Sequence, residues 1–159
     1  MRIALGCDHA GYPLKEEVRD LIAASGATVL DCGTDSTDSV DYPDYAAAVA
    51  RAVASGEAER GIILCGSGDG ACVTANKVPG VRACVCHDTY SAGQGVEHDD
   101  MNVLCLGGRI IGPAVLPDLI SAFLSARFSG EERHVRRLNK VLEIEAGNWP
   151  ASVPESRSE

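Results

Sequence analysis

Apolar runs alternate with amphipathic stretches along the whole chain. Arg2–Gly6 reads as a strand and Cys7-Asp8-His9-Ala10-Gly11 as the loop after it. Leu14, Val18, Leu21 and Ile22 then recur at helical spacing, with Pro13 near the start and Gly26 at the end. Thr28–Leu30 is a second short strand, and the polar loop Gly33–Asp41 leads to a helix that starts at Pro43. Tyr45, Val49 and Val53 mark that helix's buried face. Gly61–Leu64 is apolar throughout, as a strand buried on both faces should be. After Cys65-Gly66-Ser67-Gly68-Asp69-Gly70 the pattern predicts a short helix over Ala71–Asn76, a strand over Val81–Cys86 and a helix over Asp88–Glu97. Gly93 and Gly95 weaken that helix by about 1 kcal/mol each relative to Ala. A fifth strand, Asn102–Leu106, ends at Gly107-Gly108, and helices over Pro113–Phe128 and Glu131–Ala146 follow.

This alternation predicts an α/β fold: a doubly wound, five-stranded parallel sheet in a Rossmann-like three-layer αβα sandwich, with an extra C-terminal helix. Residues 1–146 read as a single domain, and 147–159 as a polar, proline-containing tail that is mobile or straps an interface. In such sheets ligands bind at the carboxyl ends of the strands. Three loops therefore become candidates: Asp8-His9, Cys65–Gly70 and Gly107–Arg109.

Composition narrows the partners. Apolar residues make up 45% and charged residues 23%, an ordinary globular profile, but aromatics only 4%, so the core rests on Ala, Val, Leu and Ile. The net charge of −9 argues against nucleic acid and against anionic membranes as partners. Any bound phosphate must find locally concentrated positive charge. Seven cysteines, most of them inside apolar runs, fit reduced thiols in the cytoplasm, and the N-terminal residues do not read as a signal peptide.

The glycine turn carries the most chemistry. Glycines at alternate positions between strand and helix let backbone N–H groups converge on an anion, although such a turn is equally a tight structural connection. No Gly-Lys-Ser/Thr follows, and the spacing is not that of the dinucleotide fingerprint. Ser67 falls second in Gly66–Gly70, where a nucleophile elbow needs it third. Cys65 sits at the end of a buried strand and the mouth of a helix, where a thiol pKa falls below its usual ~8.5. It is a candidate general base beside its own oxyanion stabiliser, or else a core cysteine like its siblings. His98, among Glu97, Asp99 and Asp100, suits acid catalysis or plain solvation. Asp8 suits helix capping, a role compatible with lining a site. Arg133 and Arg137 share a helix face, either as a phosphate clamp or as a solvated basic surface. Val135, Leu138 and Leu142 anchor the helix from its other side. No C-x-x-C or H-x-x-x-H pattern supports a metal site.

Together these motifs resemble the type B ribose-5-phosphate isomerase family, with its allose- and galactose-6-phosphate relatives. The resemblance runs from Met1 to about Glu145 through Gly6-Cys7-Asp8-His9-Ala10-Gly11, Asp41-Tyr42-Pro43, Cys65–Gly70, Ala75-Asn76-Lys77, His98, Asn102-Val103-Leu104 and Arg133-His134 with Arg137. It implies that Cys65 shuttles a proton between C1 and C2 of a small phosphorylated sugar and that His98 opens the ring. Asp8 and His9 would line the site, with Tyr42 a further candidate. Ser67 and the amides of Gly68–Gly70, with Gly66 and Asp69 in the same turn, would hold the enediolate. Arg133 and Arg137 would bind the phosphate, joined by His9 or Arg109. It implies no metal, no cofactor, and a homodimer or dimer of dimers whose sites lie at the interface, with the His98 segment lent by the partner.

Four positions distinguish this chain. Ala71 stands where one branch of the family carries a glutamate base, so the chain resembles the cysteine branch. Ser67 stands where threonine is common, Asp69 adds a carboxylate to the turn, and Asp99 replaces an asparagine that holds substrate in relatives. Asp99 can accept but not donate, which leaves the sugar open: five carbons, or four, or six. Two other readings use the same fold: a non-catalytic sugar-phosphate-binding module, and one subunit of a mixed oligomer.

Overall fold

The computed structural model describes residues 1–148. The elements run β1 (Arg2–Cys7), α1 (Tyr12–Ala24), β2 (Thr28–Asp31), α2 (Tyr42–Ala54), β3 (Arg60–Cys65), α3 (Asp69–Ala75), β4 (Ala83–Val85), α4 (Thr89–Asp99), β5 (Val103–Gly107), α5 (Leu116–Ser125) and α6 (Glu132–Glu145). The five strands form one sheet in the order β2-β1-β3-β5-β4, and every pairing is parallel. Strand order reverses between β1 and β3, which opens a crevice at their carboxyl ends.

The side-chain period of two sorts the central strands into two cores. Ile3, Leu5, Ile62, Leu64, Leu104 and Leu106 pack on one face against α1, α4 and α5. Ala4, Ile63, Cys65, Val103 and Cys105 pack on the other against the small residues of α2 and α3, among them Ala46, Ala50, Ala71 and Ala75. Both faces of β1, β3 and β5 are thus covered, which is why their sequences run apolar without alternation.

The described residues divide into two compact units, Met1–Phe128 and a second from Ser129 onward that holds α6. The tail expected at 147–159 lies, from residue 149 onward, outside the described residues. The largest departures from the sequence expectation lie in the α5 region, α3 and β4. The single helix over Pro113–Phe128 is a 3₁₀ turn, Pro113–Val115, followed by α5, because Pro117 fits only a helix's first turn. The short helix begins at Asp69 rather than Ala71. The fourth strand covers only Ala83–Val85, so Cys86 lies beyond its end. On α6, Val135 and Leu142 are exposed in place of the anchoring role expected of them.

Asn76 explains how so short an edge strand holds. Its Nδ2 donates to the Ala83 carbonyl at 2.9 Å and to the Cys72 carbonyl at 3.0 Å, and its Oδ1 accepts from the Ala83 amide at 2.9 Å. One side chain therefore occupies both main-chain groups that Ala83 turns away from β5, and closes the sheet edge as a further strand would. Asn76→Ala should cost about 1–2 kcal/mol, because it leaves the Ala83 amide without its partner. Urea denaturation should show that loss for Asn76→Ala and almost none for the exposed neighbour Lys77→Ala. Equal stability of the two variants would deny the edge-closing role.

Candidate active site

Three loops converge at the carboxyl edge. The first follows β1, where the Asp8 amide donates to the Leu64 carbonyl at 3.1 Å and so continues the β1–β3 ladder into the loop. The Asp8 carboxylate is nearly buried, and its Oδ1 accepts from the amides of Ala10 at 2.8 Å and Gly11 at 2.9 Å. These are the bonds of an Asx turn that leads into α1, whose N-cap is Gly11, rather than the helix cap expected of Asp8. His9 is fixed from outside: its Nδ1 accepts from the Val40 amide at 3.2 Å, so the neutral ring carries its proton on Nε2.

The second loop is the glycine turn. Cys65 ends β3, is 4% exposed, and its sulfur accepts from the Gly68 amide at 3.2 Å. Gly68 has φ +95°, a left-handed conformation that a side chain would strain. That conformation bends the chain back so that its amide meets the thiol three residues earlier. The Ser67 hydroxyl accepts from the Asp69 amide at 3.3 Å, while Ser67 and Asp69 stay exposed. The ring of Tyr42, from the start of α2, lies against Gly70.

The third loop follows β5. Gly107 is the register partner of Cys65, and the Gly108 amide donates to the Cys65 carbonyl at 2.7 Å. The Arg109 amide donates to the Gly66 carbonyl at 3.1 Å, and its guanidinium passes over Gly66. Gly107 itself lies beneath the Ser67 carbonyl, so close that a Cβ there would come within 2.6 Å of that oxygen. Asp8, His9, Tyr42, Cys65–Gly70 and Arg109 thus lie on segments that meet at the carboxyl edge.

His98 and Asp99 lie elsewhere. α4 runs from the carboxyl edge back to the amino edge, about 16 Å over its 11 residues. Its end is marked by Asp100, which pairs with Arg82 at 2.7 Å just before β4 begins. His98, whose Nδ1 lies 3.0 Å from the Gln94 amide nitrogen, and the exposed Asp99 therefore sit at the opposite end of the sheet from Cys65 of the same chain. Arg133 and Arg137 lie one turn apart on α6 in the second unit, both exposed, with Arg133 paired to Glu131 at 2.9 Å.

Sequence reasoning missed His87. Its Nε2 accepts from the Gly107 amide at 2.9 Å, so it holds the β5 loop from the side of β4. No sequence pattern marks a lone histidine beyond a short strand for that task. Burial pushes the Cys7 thiol up to about 11 and Cys86 up to about 12, as for inert core cysteines. Cys72 goes the other way, down to about 7, chiefly through a hydrogen bond from Cys105. Among the described residues, no group of three or more His, Cys, Asp or Glu is placed to hold a metal ion. No helix of the described residues is long and apolar enough to cross a membrane.

The doubly wound parallel sheet is the fold of the type B ribose 5-phosphate isomerase structures, and comparison with known proteins shows the family. The ribose/galactose isomerase family model matches residues 3–141, and the chain belongs to that family. It is 43% identical to the ribose-5-phosphate isomerase B of Escherichia coli K12 over 91% of this chain and 96% of that one. It is 44% identical to the D-erythrulose-4-phosphate isomerase of Pectobacterium atrosepticum over 82% and 86%. The type B ribose 5-phosphate isomerase structure from Trypanosoma cruzi superposes with a TM-score of 0.89 at 44% identity, covering 92% of this chain and 99% of that one.

His87→Ala should free the Gly107 amide. Its hydrogen exchange should accelerate several-fold, as for the loss of about 1 kcal/mol, while Ile63 in mid-sheet stays protected. His87→Gln, which keeps an acceptor, should restore part of the protection. Unchanged exchange at Gly107 in His87→Ala would refute the assignment.

Proposed function

We propose that this chain is an aldose–ketose isomerase of a phosphorylated sugar, converting ribose 5-phosphate to ribulose 5-phosphate or acting on a close analogue. The observation that carries the reading is the Cys65 sulfur at the carboxyl edge, 3.2 Å from an inward-turned backbone amide. A thiolate there removes the proton on C2 of the open-chain aldose. The electrons of that C–H bond form the C1=C2 double bond, and the former carbonyl oxygen becomes an enediolate. Amides of Gly68–Gly70 stabilise that oxygen. Cys65 then returns a proton to C1 as the C2 carbonyl forms, and the proton on O2 passes to O1. The base, the acid and the amides suffice, so the reading calls on neither metal nor cofactor.

The remaining roles follow from the geometry. Oδ1 of Asp8 is occupied by the loop amides, which leaves Oδ2 for a sugar hydroxyl. The acceptor bond at Nδ1 of His9 presents Nε2–H as a donor. Tyr42, Gly66, Ser67, Asp69 and Arg109 shape the crevice wall. Arg133 and Arg137 are assigned to the phosphate, as bidentate anion donors in an otherwise acidic protein. His98 is assigned to ring opening. Because α4 carries it to the far edge of its own sheet, a second copy must deliver it together with Asp99. The active form is therefore a homodimer or a dimer of dimers. All seven cysteines are free thiols, which supports a reducing, cytoplasmic setting in carbohydrate metabolism, with pentose phosphates as the first substrates to test.

Cys65→Ser should lower kcat by more than ten-fold while phosphate binding persists, because a hydroxyl is a far weaker base than a thiolate. A panel of four-, five- and six-carbon aldose phosphates is the assay. Retention of more than about a tenth of the activity, a loss below ~1.4 kcal/mol, removes Cys65 from the role.

Mixing the inactive variants Cys65→Ala and His98→Ala should restore activity through hybrid sites that take an intact Cys65 from one chain and an intact His98 from the other. No recovery, with subunit exchange verified by mass, would show that each chain builds its site alone.

Asp99→Asn should shift the ranking of kcat/KM values within the panel, because it restores a donor where this chain has only acceptors. An unchanged ranking leaves Asp99 as a solvated carboxylate.

A further inference from the structure

Asp100 stands apart in the backbone. It ends α4 with φ +51° and ψ +41°, and among the described residues it is the one residue other than glycine with a positive φ. That left-handed turn closes the helix: the Asp100 amide donates to the Val96 carbonyl at 3.2 Å, and the Met101 amide to the Gly95 carbonyl at 3.0 Å. Conformation alone would call for glycine there, because a side chain is disfavoured at positive φ. The aspartate brings a carboxylate instead, and Arg82 takes it up. Arg82 Nη2 donates to Asp100 Oδ2 at 2.7 Å, and Arg82 Nε donates to the Asp100 carbonyl at 2.7 Å. The Arg82 side chain is only 19% exposed, so this pair of charge-assisted bonds is partly shielded from competing water.

Arg82 is itself fastened to the sheet. Its amide donates to Asn102 Oδ1 at 2.8 Å, and its carbonyl accepts from the amides of Asn102 at 3.1 Å and Val103 at 3.3 Å, where β5 begins. Asn102 Nδ2 in turn donates to the Gly80 carbonyl at 2.8 Å. The last turn of α4 is therefore placed by the sheet and not by the helix alone. That turn carries His98 and Asp99. The His98 ring is tied to its own helix through Gln94, four residues earlier, at 3.0 Å. Gln94 thus orients the ring on the helix, and Arg82 orients the helix end on the sheet.

We propose that Arg82 and Asp100 are positioning residues for ring opening: their paired bonds hold the last turn of α4 so that His98 and Asp99 meet the sugar in the crevice of a second copy. The proposal rests on the isomerase reading and on the role that reading gives His98. The pair touches no reacting atom. Its contribution is placement, and a misplacement on the order of 1 Å can cost about a hundred-fold in rate. Sugar chemistry separates this role from a general loss of structure. Ribose 5-phosphate closes into a ring through O4, so its conversion needs both ring opening and proton transfer. Ribulose 5-phosphate stays open, because O5, the oxygen that would close its ring, carries the phosphate. Exchange of its C1 proton with solvent needs proton transfer alone. The Cys65 thiolate takes the C1 proton, the sulfur exchanges it for a deuteron from the solvent, and the deuteron returns to C1.

The test follows two rates on the full-length chain: conversion of ribose 5-phosphate, and deuterium wash-in at C1 of ribulose 5-phosphate in D₂O, read by NMR. His98→Ala is the reference and should lose conversion while keeping wash-in. Arg82→Met and Asp100→Gly should show the same split, with conversion lower by roughly ten-fold or more and wash-in within about three-fold of wild type. Asp100→Gly keeps the left-handed turn without its strain, so it tests the carboxylate even where Arg82→Met unfolds. Asp100→Asn keeps an oxygen for Nη2 on a side chain that tolerates the left-handed region, and should retain conversion within about three-fold of wild type. Conversion and wash-in that fall together in Asp100→Gly show a general structural role and overturn the proposal. Conversion that is unchanged in Asp100→Gly and in Arg82→Met overturns it too. So does a His98→Ala chain that loses wash-in along with conversion, because ring opening is then not what His98 supplies. A wild-type chain that neither converts nor exchanges sinks the isomerase reading itself, an outcome distinct from each of these.

Discussion

The parallel ladder joining β1, β3 and β5 fixes everything at the carboxyl edge. Its register sets Cys65 opposite Gly107 and Cys7 opposite Leu64, so the three strands end together. The ladder then continues past the strands. Asp8 donates to Leu64, Gly108 to Cys65 and Arg109 to Gly66, each through its backbone amide. Loops that would otherwise be mobile become extensions of the sheet, and the thiol sits on a rigid element. Catalytic geometry held on strands is held more tightly than geometry held on loops alone.

The same ladder sets a polarity that the chain cannot escape. A helix that follows a strand in a parallel sheet must return to the amino edge before the next strand can begin. α4 obeys this, and it ends beside Arg82 with Asp100 in the left-handed region. Residues at its end are therefore excluded from the crevice of their own chain. The proposed site, which uses both Cys65 and His98, therefore requires that two chains meet.

Much of this was legible in the sequence because the signals were local. Continuous apolar runs at Ile3–Leu5, Gly61–Leu64 and Val103–Leu106 announced buried parallel strands, and the glycine turn after Cys65 announced a backbone that closes on its own thiol. What was not legible depended on partners distant in sequence. His87 reaches Gly107 across twenty residues, and its role is set by where β4 ends. Asn76 belonged to a recognised motif, yet its function as a sheet edge appears only when Ala83 lies beside it. The apolar positions of α6 had the right period for burial, but Val135 and Leu142 are exposed in the single chain.

The central claim is that Cys65 moves a proton between solvent-exchangeable sulfur and the sugar carbons. It is tested most directly by running ribose 5-phosphate to equilibrium in D₂O and reading deuterium by NMR at C1 of the ketose and C2 of the recovered aldose. The account predicts deuterium at both carbons with the wild-type chain and at neither with Cys65→Ser. Conversion by the wild-type chain without deuterium at either carbon, as in a direct hydride shift, would contradict it.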